Sequence, residues 1–237
     1  MRNNRAIVVS TMCSLLLATA ALAQTAPAAS GHWQGEIQIP DRVLGVTVDL
    51  GRNAAGAWIG SLTVTGTTSV DVPLTGITVA DAVVRFNAKL PEDTQFQGTM
   101  SADGKGLNGT VANAQGAVPF VLTRAGEANV KLPPPSSPLV KSFEGTWNGT
   151  IEVPGRTPMR LMLKISAAAD GTAQATIVNL DQANEEISMT TVITTATTLK
   201  METRAISGTY QGTLGPDGSI AGEWGQAGAR AALTFRR

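Results

Sequence analysis

From Gly31 onward, hydrophobic and polar residues alternate with a period of two. Val46, Val48 and Leu50 alternate with Thr47 and Asp49, and Leu161, Leu163 and Ile165 alternate with Met162 and Lys164. Along Ile59, Ser61 and Thr63 the intervening residues are Gly60, Leu62 and Val64. A strand turns successive side chains to opposite faces, so this pattern predicts strands with one face in a core. Asp103-Gly104, Asn108-Gly109, Asp170-Gly171 and Asp217-Gly218 punctuate the runs. Such dipeptides supply the positive φ that two-residue hairpins require. No helical stripe interrupts them, and Ala167-Ala168-Ala169 is too short to form one. The spacing predicts about eight short strands in each half of the chain, as an antiparallel meander that closes or nearly closes.

The halves are copies. Gly31-His32-Trp33-Gln34-Gly35-Glu36-Ile37 returns as Gly145-Thr146-Trp147-Asn148-Gly149-Thr150-Ile151, with Trp147 following Trp33 by 114 residues. Phe96-Gln97-Gly98-Thr99 returns as Tyr210-Gln211-Gly212-Thr213 at the same spacing. After a slip of one residue, Phe120-Val121-Leu122 faces Leu233-Thr234-Phe235. In the middle, Leu74, Ile77, Val84 and Phe86 correspond to Met189, Val192, Leu199 and Met201. The fold class expected is all-β, with two tandem antiparallel meander β-barrel domains covering residues 31–125 and 142–237. Between them, residues 126–141 carry Pro133-Pro134-Pro135-Ser136-Ser137-Pro138, expected as an exposed, semi-stiff linker because consecutive prolines cannot donate to a ladder.

The N-terminus predicts export. Arg2 and Arg5 precede an apolar run from Ala6 to Leu22 that ends in Ala21-Leu22-Ala23, the pattern of a secretory signal peptide over residues 1–23. A lipoprotein anchored through Cys13 is the rival, but that cysteine lies inside the apolar run. Residues 24–30 then form a disordered lead, and the expected location is secreted, in the periplasm. Cleavage removes Cys13, the one cysteine, and with it disulfide and thiol chemistry. It also leaves 16 basic against 18 acidic residues, with no electrostatic footprint for nucleic acid or an anionic membrane. No membrane span is expected after signal removal. A membrane β-barrel would need aromatic girdles, which one Tyr and a proline-rich break do not supply.

Gly-x-Trp on a first strand and a basic residue on the last resemble the calycin (lipocalin-like) signature, in which the terminal arginine lies over the tryptophan. The resemblance implies that Gly31 and Trp33 pair with Arg124, and Gly145 and Trp147 with Arg236 or Arg237. With Tyr210-Gln211-Gly212, Asp217-Gly218 and Gly222-Glu223-Trp224-Gly225-Gln226, the second copy also resembles the small non-catalytic β-domain that precedes secreted bacterial α/β-hydrolases. The first copy departs from it, with Val111 and Asn113 where the second has Trp224 and Gln226.

Candidate chemistry is sparse. A serine hydrolase needs a nucleophile elbow and a histidine base, yet there is no Gly-x-Ser-x-Gly, and His32, the one histidine, is read as an exposed strand residue. Glu185 and Glu186 are adjacent and point to opposite faces of a strand, so they form no acid/base pair. The Asp-Gly pairs read as turns rather than calcium loops. Asn108-Gly109-Thr110 reads as a hairpin turn and Asn148-Gly149-Thr150 as strand, rather than as glycosylation sites. No catalytic residue, cofactor or metal is assigned. The expected function is a non-catalytic binding or accessory module for a small apolar ligand or an extracytoplasmic protein. A weak secreted hydrolase with unassigned residues is the alternative. Eight strands enclose either a filled core or room for one small ligand; Trp58, Tyr210 and Trp224 are the candidates to face such a ligand.

Overall fold

The computed structural model describes residues 28–152, residue 155 and residues 157–237. The expected signal peptide and the first part of the lead lie outside the described residues. The first repeat is a closed meander of eight antiparallel strands: β1 (Gly31–Ile39), β2 (Arg42–Arg52), β3 (Trp58–Val64), β4 (Val72–Ala80), β5 (Val83–Lys89), β6 (Asp93–Met100), β7 (Gly106–Asn113) and β8 (Gly116–Gly126). β6 shows the cause most plainly: Thr94, Phe96, Gly98 and Met100 are buried while the four residues that alternate with them, Asp93, Gln95, Gln97 and Thr99, are exposed. β8 returns to β1 in a register running from Trp33↔Arg124 to Ile37↔Phe120. Phe86 stacks on Phe96 at 4.8 Å between ring centroids, and Phe120 lies 5.8 Å from Phe96. With Trp33, Leu50, Leu62, Leu107 and Leu122 they fill the barrel.

Among the described residues the second repeat has nine strands rather than eight: β9 (Gly145–Ile151), β10 (Met159–Ala167), β11 (Ala173–Asn179), β12 (Glu185–Ser188), β13 (Thr191–Thr194), β14 (Thr198–Thr203), β15 (Gly208–Leu214), β16 (Ile220–Gln226) and β17 (Ala229–Arg236). The extra strand comes from splitting the counterpart of β4. Met189 donates its N–H to Ala175 O on one side (2.9 Å) and Thr190 donates to Glu202 O on the other (2.7 Å). The chain therefore changes neighbours between β12 and β13, where β4 has only a bulge between Thr75 and Thr78. The sheet curls into a half-barrel, and β17 meets β9 at Phe235↔Gly149 and Arg236↔Asn148.

Asn108-Gly109, expected as a turn, lies within β7, and the β6–β7 turn is built instead on Asp103-Gly104. Gly109 is required there by close approach: a Cβ would sit 2.0 Å from Gln97 O and 2.5 Å from Gly98 Cα. Gly222 repeats the arrangement against Gln211 O and Gly212 Cα. The glycines of this motif thus let two backbones cross.

The proline-rich segment is extended, as prolines dictate, but it is not a free spacer. Asn129 N–H donates to Asp49 and Lys131 N–H to Ser61 on the first barrel. Residues 134–140 then run along the second repeat as a strap between β11 and β13. Ser137 N–H donates to Val192 O (3.0 Å), Ala173 N–H donates to Ser137 O (2.7 Å), and Leu139 N–H donates to Gly171 O (3.1 Å). Ser137 Oγ accepts from Thr194 N–H at 2.8 Å, and Pro138 bridges to Thr172. The repeats also touch directly: Ser69 Oγ donates to Ala205 O (2.7 Å) and Ser207 Oγ to Thr68 O (2.6 Å).

Both repeats carry the same indole latch. Trp33 Nε1 donates to Ala29 O at 3.1 Å and Trp147 Nε1 to Phe143 O at 2.9 Å, both four residues back. Arg124 lies over the Trp33 ring at 4.4 Å and Arg237 over the Trp147 ring at 4.5 Å. Arg236, the signature residue expected in that role, is displaced from it by strand alternation. Phe235 points into the core, so Arg236 points out and pairs with Asp217 at 3.3 Å. The following residue folds back and donates to Ser142 O and Glu144 O, both at 3.0 Å.

Burying an indole removes about 150–250 Å² from water, an upper bound of roughly 4–6 kcal/mol. Trp147→Ala is expected to cost about 3–5 kcal/mol in chemical denaturation. Arg237→Ala should cost about 0.5–2 kcal/mol through the lost cation–π contact, whereas Arg236→Ala, in an exposed pair, should cost at most about 1 kcal/mol. A larger loss at Arg236 than at Arg237 would contradict the assignment. Ser137→Pro removes a donor and a hydroxyl from the strap. It should cost about 1–3 kcal/mol and accelerate amide exchange at Ala173 and Thr194. Unchanged exchange there would mean that the strap is not seated in solution.

Candidate functional site

The three aromatic residues expected to face a ligand do not come together. Tyr210 is 1% exposed, and its hydroxyl lies 3.1 Å from both Ile220 O and Leu233 O. Its ring meets Phe235 edge-on at 5.4 Å, and burial pushes the phenol pKa well above its ordinary value. It is core filling. Trp224 is its cross-strand neighbour on the inner face, half-buried, with Nε1 donating to Gln226 Oε1 at 3.4 Å. Trp58 is in the other barrel, packed against the core with Arg52 over its ring at 4.2 Å.

Trp58 is explained by comparison with its counterpart. Position 58 corresponds to Ala173, and Ala29 corresponds to Phe143. Both pairs lie at the barrel end where the first strand begins. The second repeat fills that end with Phe143, fully buried, and keeps Ala173 small. The first repeat does the reverse, with a small Ala29 and a large Trp58. The exchange of size between two positions keeps each end packed.

The outer face of the second repeat carries a groove of about 780 Å³. Its walls follow from strand register. One row across the sheet reads Glu202, Thr209, Gly225 and Arg230; the next reads Lys200, Gln211 and Glu223. These positions alternate with the buried Leu199, Met201, Thr203 and Tyr210, and Ile193 of β13, beside Lys200, adds an apolar side chain to the wall. Gly225 has no side chain and leaves a depression between Thr209 and Arg230. The β16–β17 turn, with Ala227 and Gly228, and Pro134 of the strap form opposite rims. Arg230 pairs with Glu223 at 2.7 Å and Arg204 pairs with Glu202. The face therefore offers hydroxyl, amide, carboxylate and cationic groups in two rows, with little net charge. No aromatic ring is presented to it, because Tyr210 points into the core. Of these residues, Gln211 was visible in the repeated Gln-Gly-Thr motif. Lys200, Glu202, Thr209 and Arg230 were not, since an outward polar residue on a strand carries no signal until the register is known.

His32 is more constrained than an ordinary exposed strand residue. Nδ1 lies 2.9 Å from Asp49 Oδ1 and Nε2 lies 2.9 Å from the Gln34 side-chain amide. Asp49 Oδ1 also accepts from Asn129 N–H at 2.8 Å. Both ring nitrogens are thus engaged, and neither partner is a hydroxyl that the ring could activate. The pair fastens the start of the linker to the first barrel.

The turn aspartates are likewise engaged. Asp103, Asp170 and Asp217 accept from Ser101, Thr172 and Ser219, whose hydroxyls hold each carboxyl below the ordinary carboxylate range, with backbone N–H groups adding to the effect. These are side-chain-closed turns. Among the described residues, no three His, Cys, Asp or Glu side chains gather at metal-ligand distance. No helix among them is long and apolar enough to cross a membrane.

No family model matches the chain, and no curated protein matches it. Among solved structures, the chain is similar to a provisionally assigned outer membrane protein of Bacteroides fragilis, with 14% identity, 87% of this chain and 95% of that chain covered, and a TM-score of 0.27. It is also similar to a protein of unknown function from the DUF3598 family of Nostoc punctiforme, with 10% identity, 87% and 94% covered, and a TM-score of 0.22. Similarity at these scores carries no argument about function.

Proposed function

We propose that this chain is a non-catalytic, extracytoplasmic binding module that meets a protein partner on the outer face of β14–β17. The observation that carries the reading is the two-row polar ladder of Glu202, Thr209 and Arg230 beside Lys200, Gln211 and Glu223. The paired strands already fix the backbone under these groups, so binding has only the side chains left to order. Mixed charge gives specificity by register rather than by long-range attraction. A polypeptide suits this face better than a sugar, because no ring is available for stacking.

A small apolar ligand inside a barrel is disfavoured by the side chains that fill both interiors: Phe86, Phe96 and Phe120 in the first repeat, and Phe143, Tyr210 and Phe235 in the second. A hydrolase is disfavoured by the engagement of His32 with Asp49 and Gln34.

A photo-reactive amino acid at position 209, introduced in the native host, tests the reading. It should give one discrete cross-linked protein, and Lys200→Ala with Arg230→Ala should lower the yield about tenfold or more, since hydrogen bonds to charged groups contribute about 1.5–3 kcal/mol each. The same probe at position 95, the matching outward site of the first repeat, should not capture that protein. Equal capture at both positions, or a yield indifferent to Lys200 and Arg230, would contradict the reading.

A further inference from the structure

The two repeats differ in what fills one seam. In the second, β11 and β13 part, and the strap lies between them, antiparallel to β11 through the Pro138↔Thr172 bridge. Its central residue, Ser137, bonds Ala173 N–H on one side and Val192 O on the other. At a spacing of 115 residues, Ala173, Val192 and Thr194 correspond to Trp58, Ile77 and Val79 of the first repeat. There β3 and β4 are registered at Ser61↔Pro73 and Leu62↔Val72, and among the described residues the pairing goes no further. Beyond Gly60 the bulge between Thr75 and Thr78 turns β4 aside. Trp58, Ile59, Ile77 and Val79, all half-buried, lie along this unpaired stretch.

We propose that this β3–β4 seam of the first repeat is a docking site for an extended peptide segment of a protein partner, bound by strand addition in the register that the strap adopts in the second repeat. The strap is the argument for the occupant, because the molecule already holds such a segment in the equivalent seam. Strand addition draws affinity from main-chain hydrogen bonds and specificity from alternate side chains. The recognised segment has a small residue at the Ser137 position, where it must pass between two strands, and an aliphatic residue two positions later, as Leu139 is. Its side-chain contacts are apolar. Val79 stands where Thr194 supplies the hydroxyl that bonds Pro138 O and Val140 N–H. The site is separate from the β14–β17 groove, so either can fail without the other.

The probe is a synthetic peptide of residues 133–141, Pro-Pro-Pro-Ser-Ser-Pro-Leu-Val-Lys, titrated against the exported full chain by fluorescence anisotropy. Saturable binding is expected, with amide-exchange protection appearing at Trp58 and Ile77, the counterparts of Ala173 and Val192. A peptide carrying Ser137→Pro loses the central donor and should bind about tenfold more weakly, the effect of one main-chain hydrogen bond. Three results would each overturn the proposal: no saturation up to about 1 mM, equal affinity of the proline peptide, or protection confined to Ala173 and Val192. The last would mean that the peptide exchanges with the strap instead of filling the first repeat.

Discussion

Each repeat depends on a tryptophan near its start being held by its last strand. The indole is buried, its N–H is satisfied by a carbonyl four residues back, and a C-terminal arginine covers its face. Arg124 also donates to the carbonyls of Ala28, Ser30 and Gly104, so one guanidinium joins the lead, β1 and the β6–β7 turn. A meander has no reason to close unless its first and last strands gain by meeting. Here the gain is an indole removed from water together with a cation held over it by backbone carbonyls.

Beyond that shared latch the repeats have diverged in how they complete closure. The first seals its end with Trp58 beneath Arg52 and zips β8 to β1 over most of their length. The second splits one strand, pairs β17 with β9 over two positions, and uses Phe143 and the strap as filling. A linker that also serves as a sheet element ties the repeats together more firmly than a spacer would. Ser69 and Ser207, each bonded to the other repeat's backbone, add a second tie.

Much of this was legible in the sequence because it rests on periodicity. The all-β class and the duplication follow from alternation and from the copied Gly-x-Trp motif, and the Trp33–Arg124 pair is what the calycin resemblance implies. The choice between Arg236 and Arg237 was also within reach. The slip that sets Leu122 opposite Phe235 sets Arg124 opposite Arg237, and strand parity then decides which arginine turns inward. The strap was not legible, because proline removes donors without forbidding a segment from accepting bonds or donating through its serines. Asn108-Gly109 misled for a related reason: a glycine needed for backbone crossing looks the same in sequence as one needed for a turn. The polar groove was hidden because its residues lie far apart in the chain and are joined only by register.

The central claim is that both interiors are filled and that recognition takes place on the outside of the strands. Native mass spectrometry of the protein purified from its native host, before and after denaturing extraction, tests it most directly. A bare chain mass in both conditions is what a filled core predicts. A reproducible extra mass of a few hundred daltons, released only on denaturation, would show an enclosed small ligand and contradict the account.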